Sequence, residues 1–93
     1  MDTQTLMIFV KRILAGSSVL KATSSLKQLK KILTEQGAGE KELQLLEKII
    51  TSIPEMKQLL RQTPLTEDDV EIAHRRALDR IEREKMASRY NRC

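Results

Sequence analysis

"SIPEMKQLLRQTPLTEDDV" (Ser52–Val70) holds both prolines of the chain and divides a Leu/Ile-rich portion from a charged one. Its reading decides between a packed corner inside one bundle and a hinge leading to a separate arm. Ser52 and Glu55 stand three apart, as in a capping box, and Pro54 falls in the first turn, where its missing N–H costs nothing. The spacing predicts a short helix carrying Met56, Leu59 and Leu60, ended at Thr63–Pro64. Thr66 then restarts the chain as an N-cap with Asp69 at the third position. Glu67, Asp68 and Asp69 load the first turn with the negative charge that a helix dipole favours. The stretch therefore reads as two consecutive helix starts around a short packed helix, with Thr63–Pro64 as the hinge.

Downstream, a helix from about Glu67 towards Tyr90 buries Val70, Ala73, Ala77 and Ile81 at helical spacing. Beyond Ile81 the core-facing turns hold Glu84, Lys85 and Ser88, so the stripe fails. Twenty-four helical residues span about 36 Å, whereas a compact domain of this size has a radius of gyration of about 12 Å. The far end must overhang the core, fray or pack on a partner.

Upstream, three more helices are predicted. The first, "DTQTLMIFVKRILAG", starts at Asp2 or Thr3, ends at a left-handed Gly16 and turns Leu6, Phe9, Val10, Ile13 and Leu14 inward. Lys11 and Arg12 approach its negative end. Met7 and Ile8 point off that stripe, towards a second neighbour or another chain. The second repeats Val19, Ala22, Leu26, Leu29 and Leu33 along a narrow seam, is weakened at Thr23–Ser25 and ends at Gly37 and Gly39. The third places Leu43, Leu46, Ile50 and Ile53 on one face with Leu45 and Ile49 beside it, which makes it the central helix; Pro54 stops it. Few aromatic or β-branched clusters exist to build strands. The fold class is all-α: one domain of four or five helices, with residues 1–63 as bundle core and 64–93 as a long basic helix and interaction arm.

The 93 residues carry a formal charge of +4, and the charge is segregated. Residues 66–74 hold four acids and no Lys or Arg, whereas residues 75–93 hold seven basic residues and three acids. A basic end suits an acidic partner: nucleic acid, an acidic protein or an anionic surface. One cysteine, Cys93, excludes an intramolecular disulfide and a Cys-based zinc site. The apolar run "LMIFV" is broken by Lys11–Arg12 and is too short for a membrane span. An intracellular, soluble protein is expected, cytoplasmic or nuclear.

Catalytic chemistry has little to work with. His74 is the single histidine, so two-histidine metal sites are excluded within one chain. "EIAH" (Glu71–His74) has the carboxylate–histidine spacing of di-iron bundles, but no second copy of it exists. No nucleophile–base pair and no phosphate loop is visible. A helix-turn-helix at "ILTEQGAGEKELQLL" is disfavoured because Glu40, Glu42 and Glu47 would face phosphate. The chain is expected not to be an enzyme and to bind no cofactor, metal or small-molecule substrate.

The remaining reading is a protein-binding or assembly module, a small regulator or adaptor, or a homo-oligomer. Its apolar anchors are Ile81, Met86 and Tyr90 on the last helix, with Met7 and Ile8 on the first. Arg75, Arg76, Arg80, Arg83, Lys85 and Arg89 are the charged neighbours, extended by Lys27, Lys30 and Lys31. In the alternative reading the same basic side chains contact phosphates and Tyr90 stacks on a base. A third reading is a solvated helix end laced by pairs such as Asp79–Arg83.

One stretch bears a family likeness. Ile53, Pro54, Leu60, Thr63, Leu65 and Val70, followed by "AHRR" (Ala73–Arg76), resemble the heart of the N-terminal helical domain of transcription elongation factors of the TFIIS and elongin A type. The resemblance covers about twenty residues and implies a small bundle that docks partner proteins. The chain departs from that pattern at Thr66, where a glycine is usual, in the three acids that follow, in one extra residue before Val70 and in having no late Trp.

Overall fold

The computed structural model describes residues 2–61 and 65–90, with side chains up to Ala87. These residues form five helices and no strand: α1 (Thr3–Gly16), α2 (Val19–Glu35), α3 (Glu40–Thr51), α4 (Ile53–Gln58) and α5 (Glu67–Tyr90). Local chemistry sets most of the ends. The Asp2 carboxylate accepts from the Thr5 backbone N–H at 2.7 Å and caps α1. That bond holds the Asp2 carboxyl below its usual range. Ser18 caps α2 through the Lys21 N–H. α2 runs unbroken through Thr23–Ser25, and the Thr23 hydroxyl finds its partner within the helix, donating to the Val19 carbonyl at 2.7 Å.

α2 ends in a Schellman turn. Gly37 takes φ 75°, its N–H donates to the Thr34 carbonyl at 3.2 Å, and the Ala38 N–H donates to the Leu33 carbonyl at 2.9 Å. Gly16 differs from expectation. It is the last helical residue of α1, and the extended Ser17 ends the helix instead. Neither glycine has a neighbour within 4 Å of where a Cβ would stand. Backbone conformation alone therefore sets the outcome at each. Gly37→Ala is expected to lower stability by about 1–2 kcal/mol, and Gly16→Ala to be neutral or to raise it by up to about 1 kcal/mol. Urea unfolding of the two variants checks the contrast.

Ser52 does not form the expected capping box with Glu55. Its hydroxyl donates to the Lys48 carbonyl at 2.6 Å, closing α3 rather than opening α4. α3 thus ends at Thr51, and Pro54 sits in the first turn of α4. α4 ends at Gln58, earlier than Thr63–Pro64, and those two residues lie outside the described ones. At Thr66 the restart is as predicted. The Asp69 carboxylate reaches back to the Thr66 N–H at 2.8 Å and to its hydroxyl at 3.1 Å.

The core gathers Leu6, Val10 and Leu14 of α1, Ala22, Leu26 and Leu33 of α2, Leu46 and Ile49 of α3, and Met56 of α4. α3 packs on α2, α4 and α5, as its wide apolar face requires. Val70, Ala73 and Ala77 are fully buried, and α5 packs on α3 and α4. The small Ala73 and Ala77 side chains let α5 lie close to α3. Ser52–Val70 therefore leads into a packed corner at its α5 end. α1 departs from its predicted stripe: Met7 is 4% exposed and Phe9 44%. Leu6, Val10 and Leu14 centre the buried face between Met7 and Ile13, which leaves Phe9 roughly 100° away.

The radius of gyration is 14.3 Å and the extents are 49 × 30 × 22 Å. The value exceeds that of a compact chain of this length because α5 outruns the bundle.

Candidate functional site

Ion pairs tie the helices together and sort the predicted charged residues. Lys30 of α2 pairs with Glu47 of α3, and Lys48 of α3 with Glu71 of α5. The Lys48 hydrogen bond holds the Glu71 carboxyl below its usual range. Lys57 of α4 donates to the Leu14 carbonyl at 3.2 Å and to that of Ser17. This ammonium does for the α1 C-terminus what Lys11 and Arg12 were expected to do; α1 has no basic residue in its last turn.

Arg80 is placed differently from the other predicted basic residues. Its Nε donates to Glu55 Oε2 at 2.7 Å and its Nη2 to Glu55 Oε1 at 3.2 Å. Nη2 also reaches the Thr51 carbonyl at the end of α3, at 3.3 Å. The Glu55 hydrogen bonds push the Arg80 guanidinium pKa further up, so it is charged at every accessible pH. Glu55 is 8% exposed. Arg80 is thus a clamp between α3, α4 and α5, and is withdrawn from the set of free surface cations. Among the described residues of this helix an i, i+4 pair of the expected kind joins Arg80 to Glu84 at 3.6 Å, whereas Asp79 and Arg83 form none.

Arg75, Arg76, Arg83 and Lys85 are exposed along α5. Met7, expected as a partner contact, is buried in the core, whereas Ile8 is 56% exposed. Ile81 is half-buried, Met86 is exposed, and every side chain from Glu82 to Ala87 faces solvent. Arg89 and Tyr90 lie beyond the described side chains, and Arg92 and Cys93 beyond the described residues.

Two concave surfaces lie at opposite ends of α5. One is a groove of about 660 Å³ lined by Leu78, Ile81, Glu82, Lys85 and Met86. The other is a cleft of about 730 Å³ between α1 and the start of α5. Its lining includes the exposed Ile8 over the nearly buried Met7 and Leu65, with Lys11 on the α1 side and Glu67 and Asp68 on the α5 side. The sequence reading missed Leu78, Leu65 and Asp68 as site residues. Leu78 was findable, since it stands three residues before Ile81 and seven before Lys85, on one helix face.

His74 is half-buried beside Gln44, Glu47, Lys48 and Thr51. Among the described residues no cluster of three or more His, Cys, Asp or Glu side chains is arranged to hold a metal ion. Among them, too, no helix is long and apolar enough to cross a membrane. No family model, curated protein or solved structure matches this chain.

Proposed function

We propose that this chain is a non-catalytic assembly module that binds protein through the outward face of α5, either a second copy or another chain. One observation carries the reading: α5 continues past Ile81 with no core beneath it while Leu78 and Met86 stay exposed. An unsupported helix end is marginal in water, because most helical stability comes from packing an amphipathic face. A partner that covers Leu78, Ile81 and Met86 supplies that packing. Segregation of charge along α5 adds the orientation and selectivity that complementary patches provide.

The nucleic-acid reading draws on Arg75, Arg76, Arg83 and Lys85. It has less support, because Arg80 is spent on Glu55, and Asp79, Glu82 and Glu84 interleave with those cations.

Sedimentation across a wide concentration range tests the assembly reading. The expected result is a concentration-dependent dimer that Leu78→Glu or Met86→Glu abolishes without loss of helical circular dichroism. A monomer at all concentrations, or a dimer indifferent to both substitutions, would sink the reading for self-assembly through this face.

A further inference from the structure

The cleft between α1 and the start of α5, and the free end of α5, have complementary surfaces. The cleft offers the exposed Ile8 over the nearly buried Leu65 as its apolar contact, with the Asp68 carboxylate and that of Glu67, which also pairs with Lys41 at 3.8 Å, opposite Lys11. The far end of α5 offers Met86 and Lys85, and residues 85–93 carry three basic residues and no acid.

Helical phase connects them. Asp68 and Met86 are eighteen residues apart, which is about five full turns at 3.6 residues per turn. They therefore stand on one line of the helix, separated by about 27 Å. Glu67 and Lys85 share the neighbouring line for the same reason. Arg75 and Asp79 lie between the two ends on that outward side, and both are exposed. Ala77, midway along, is half a turn out of phase and is buried in the core.

One continuous helix cannot bend its end back over such a distance into a cleft at its own start. A second copy can reach it. A two-fold axis beside Ala77 and perpendicular to α5 exchanges the two ends of the helix. That one operation sets the two α5 helices antiparallel and places each free end in the other's cleft.

On the assembly reading above, we infer that the chain forms a closed antiparallel dimer through α5. Met86 of the second copy enters the cleft against Ile8 and Leu65, and Lys85 of the second copy faces Asp68 beside Glu67. Near the axis, Arg75 of each copy faces Asp79 of the other. The interface is isologous, so the assembly closes at two copies instead of growing into a filament. Opposed helix dipoles and four opposite-charge contacts favour antiparallel over parallel pairing.

Asp68 and Lys85 are too far apart to pair within one chain, which makes charge reversal a clean test. Sedimentation equilibrium is run on the full chain from about 5 µM to about 500 µM at low salt, where charge contacts are least screened. The wild type is expected to dimerise. Asp68→Lys alone and Lys85→Glu alone each set like charges opposite one another twice per dimer and are expected to weaken it more than about tenfold. Mixed in equal amounts, the two variants face each other with opposite charges at both ends. The mixture is expected to regain an affinity within about threefold of the wild type. Circular dichroism confirms that each variant is folded, and the mixture guards against a merely unfolded single variant, since only folded chains recombine.

A wild-type dimer that Met86→Glu dissolves, but whose charge variants neither weaken nor recombine, overturns this arrangement and leaves the assembly reading standing. A wild type that stays monomeric overturns this arrangement and the self-assembly arm of that reading, and leaves only a foreign protein as the partner. A heterologous chain or a nucleic acid that binds the monomer at this face overturns the second-copy assignment.

Discussion

Leu46→Ala is expected to cost about 3 kcal/mol of stability, within the roughly 2–5 kcal/mol range for emptying a fully buried leucine site. Leu46 has no exposed surface and sits on α3, the helix that packs against α2, α4 and α5. Three neighbouring helices cannot all collapse into the space left by its side chain, so most of the cavity persists and its lining loses dispersion contacts. A domain of this size holds about 5–15 kcal/mol in total. The substitution therefore removes a large share and lowers Tm by about 12–24 °C. Leu20→Ala provides the control. Leu20 is 85% exposed, and its truncation is expected to stay within about 0.5 kcal/mol. Thermal and urea unfolding followed by circular dichroism measure both. A Leu46→Ala loss below about 1 kcal/mol would contradict the central role of α3.

The second large effect concerns the clamp between Glu55 and Arg80. Arg80→Met removes the guanidinium and leaves a carboxylate in a nearly closed site, together with an unpaired Thr51 carbonyl. Breaking a fully buried pair costs about 3–5 kcal/mol. The Arg80 side chain keeps 34% of its exposure, so solvent screening reduces the expected loss to about 2 kcal/mol. Replacing both residues with Met removes the charge together with its partner and adds apolar surface, so the double variant is expected to lie within about 1 kcal/mol of the wild type. A double-mutant cycle by urea unfolding reads the coupling directly. If the two single losses simply add, the pair contributes nothing of its own and the clamp is an incidental contact.

That clamp also shows how sequence reading and structure divide. Glu55 stands three residues after Ser52, which is capping-box spacing, and nothing nearby in the sequence signals a competitor. The competitor is Arg80, twenty-five positions away. A charge-assisted bidentate contact to a fixed guanidinium outweighs a single bond to a backbone N–H. Ser52, freed from that box, turns back to Lys48 of the preceding helix. The same gap explains Arg80 itself. On the sequence it is one of several basic residues on a charged helix, and only the packing of α5 onto α4 removes it from the surface.

Met7 and Phe9 follow a related rule. Both lie within reach of an apolar stripe, and periodicity alone does not say where the centre of the buried face falls. The neighbours of α1 set that centre, and the larger aromatic side chain is the one left outside. Leu78 was passed over for the converse reason. It lies off the core stripe of α5; its spacing from Ile81 was legible in the sequence, and the structure adds that it lines one groove with the half-buried Ile81 and the exposed Met86.

Residue order was sufficient for the all-α class, for a bundle of four or five helices and for the restart at Thr66, while it left Asp2 and Thr3 both open as the first cap and Gly37 and Gly39 both open after α2. These follow from interactions reaching no more than about five residues along the chain, where helical period, side-chain caps and left-handed glycine act. It was also sufficient for the failure of the α5 stripe beyond Ile81. Folding in three dimensions settled which flank of α1 is covered, which acid holds Arg80, which lysine closes α1, and how a cleft comes to lie at one end of α5 with an uncovered apolar groove at the other. Those outcomes join positions up to 43 residues apart, and no periodicity along the chain encodes which distant side chain arrives.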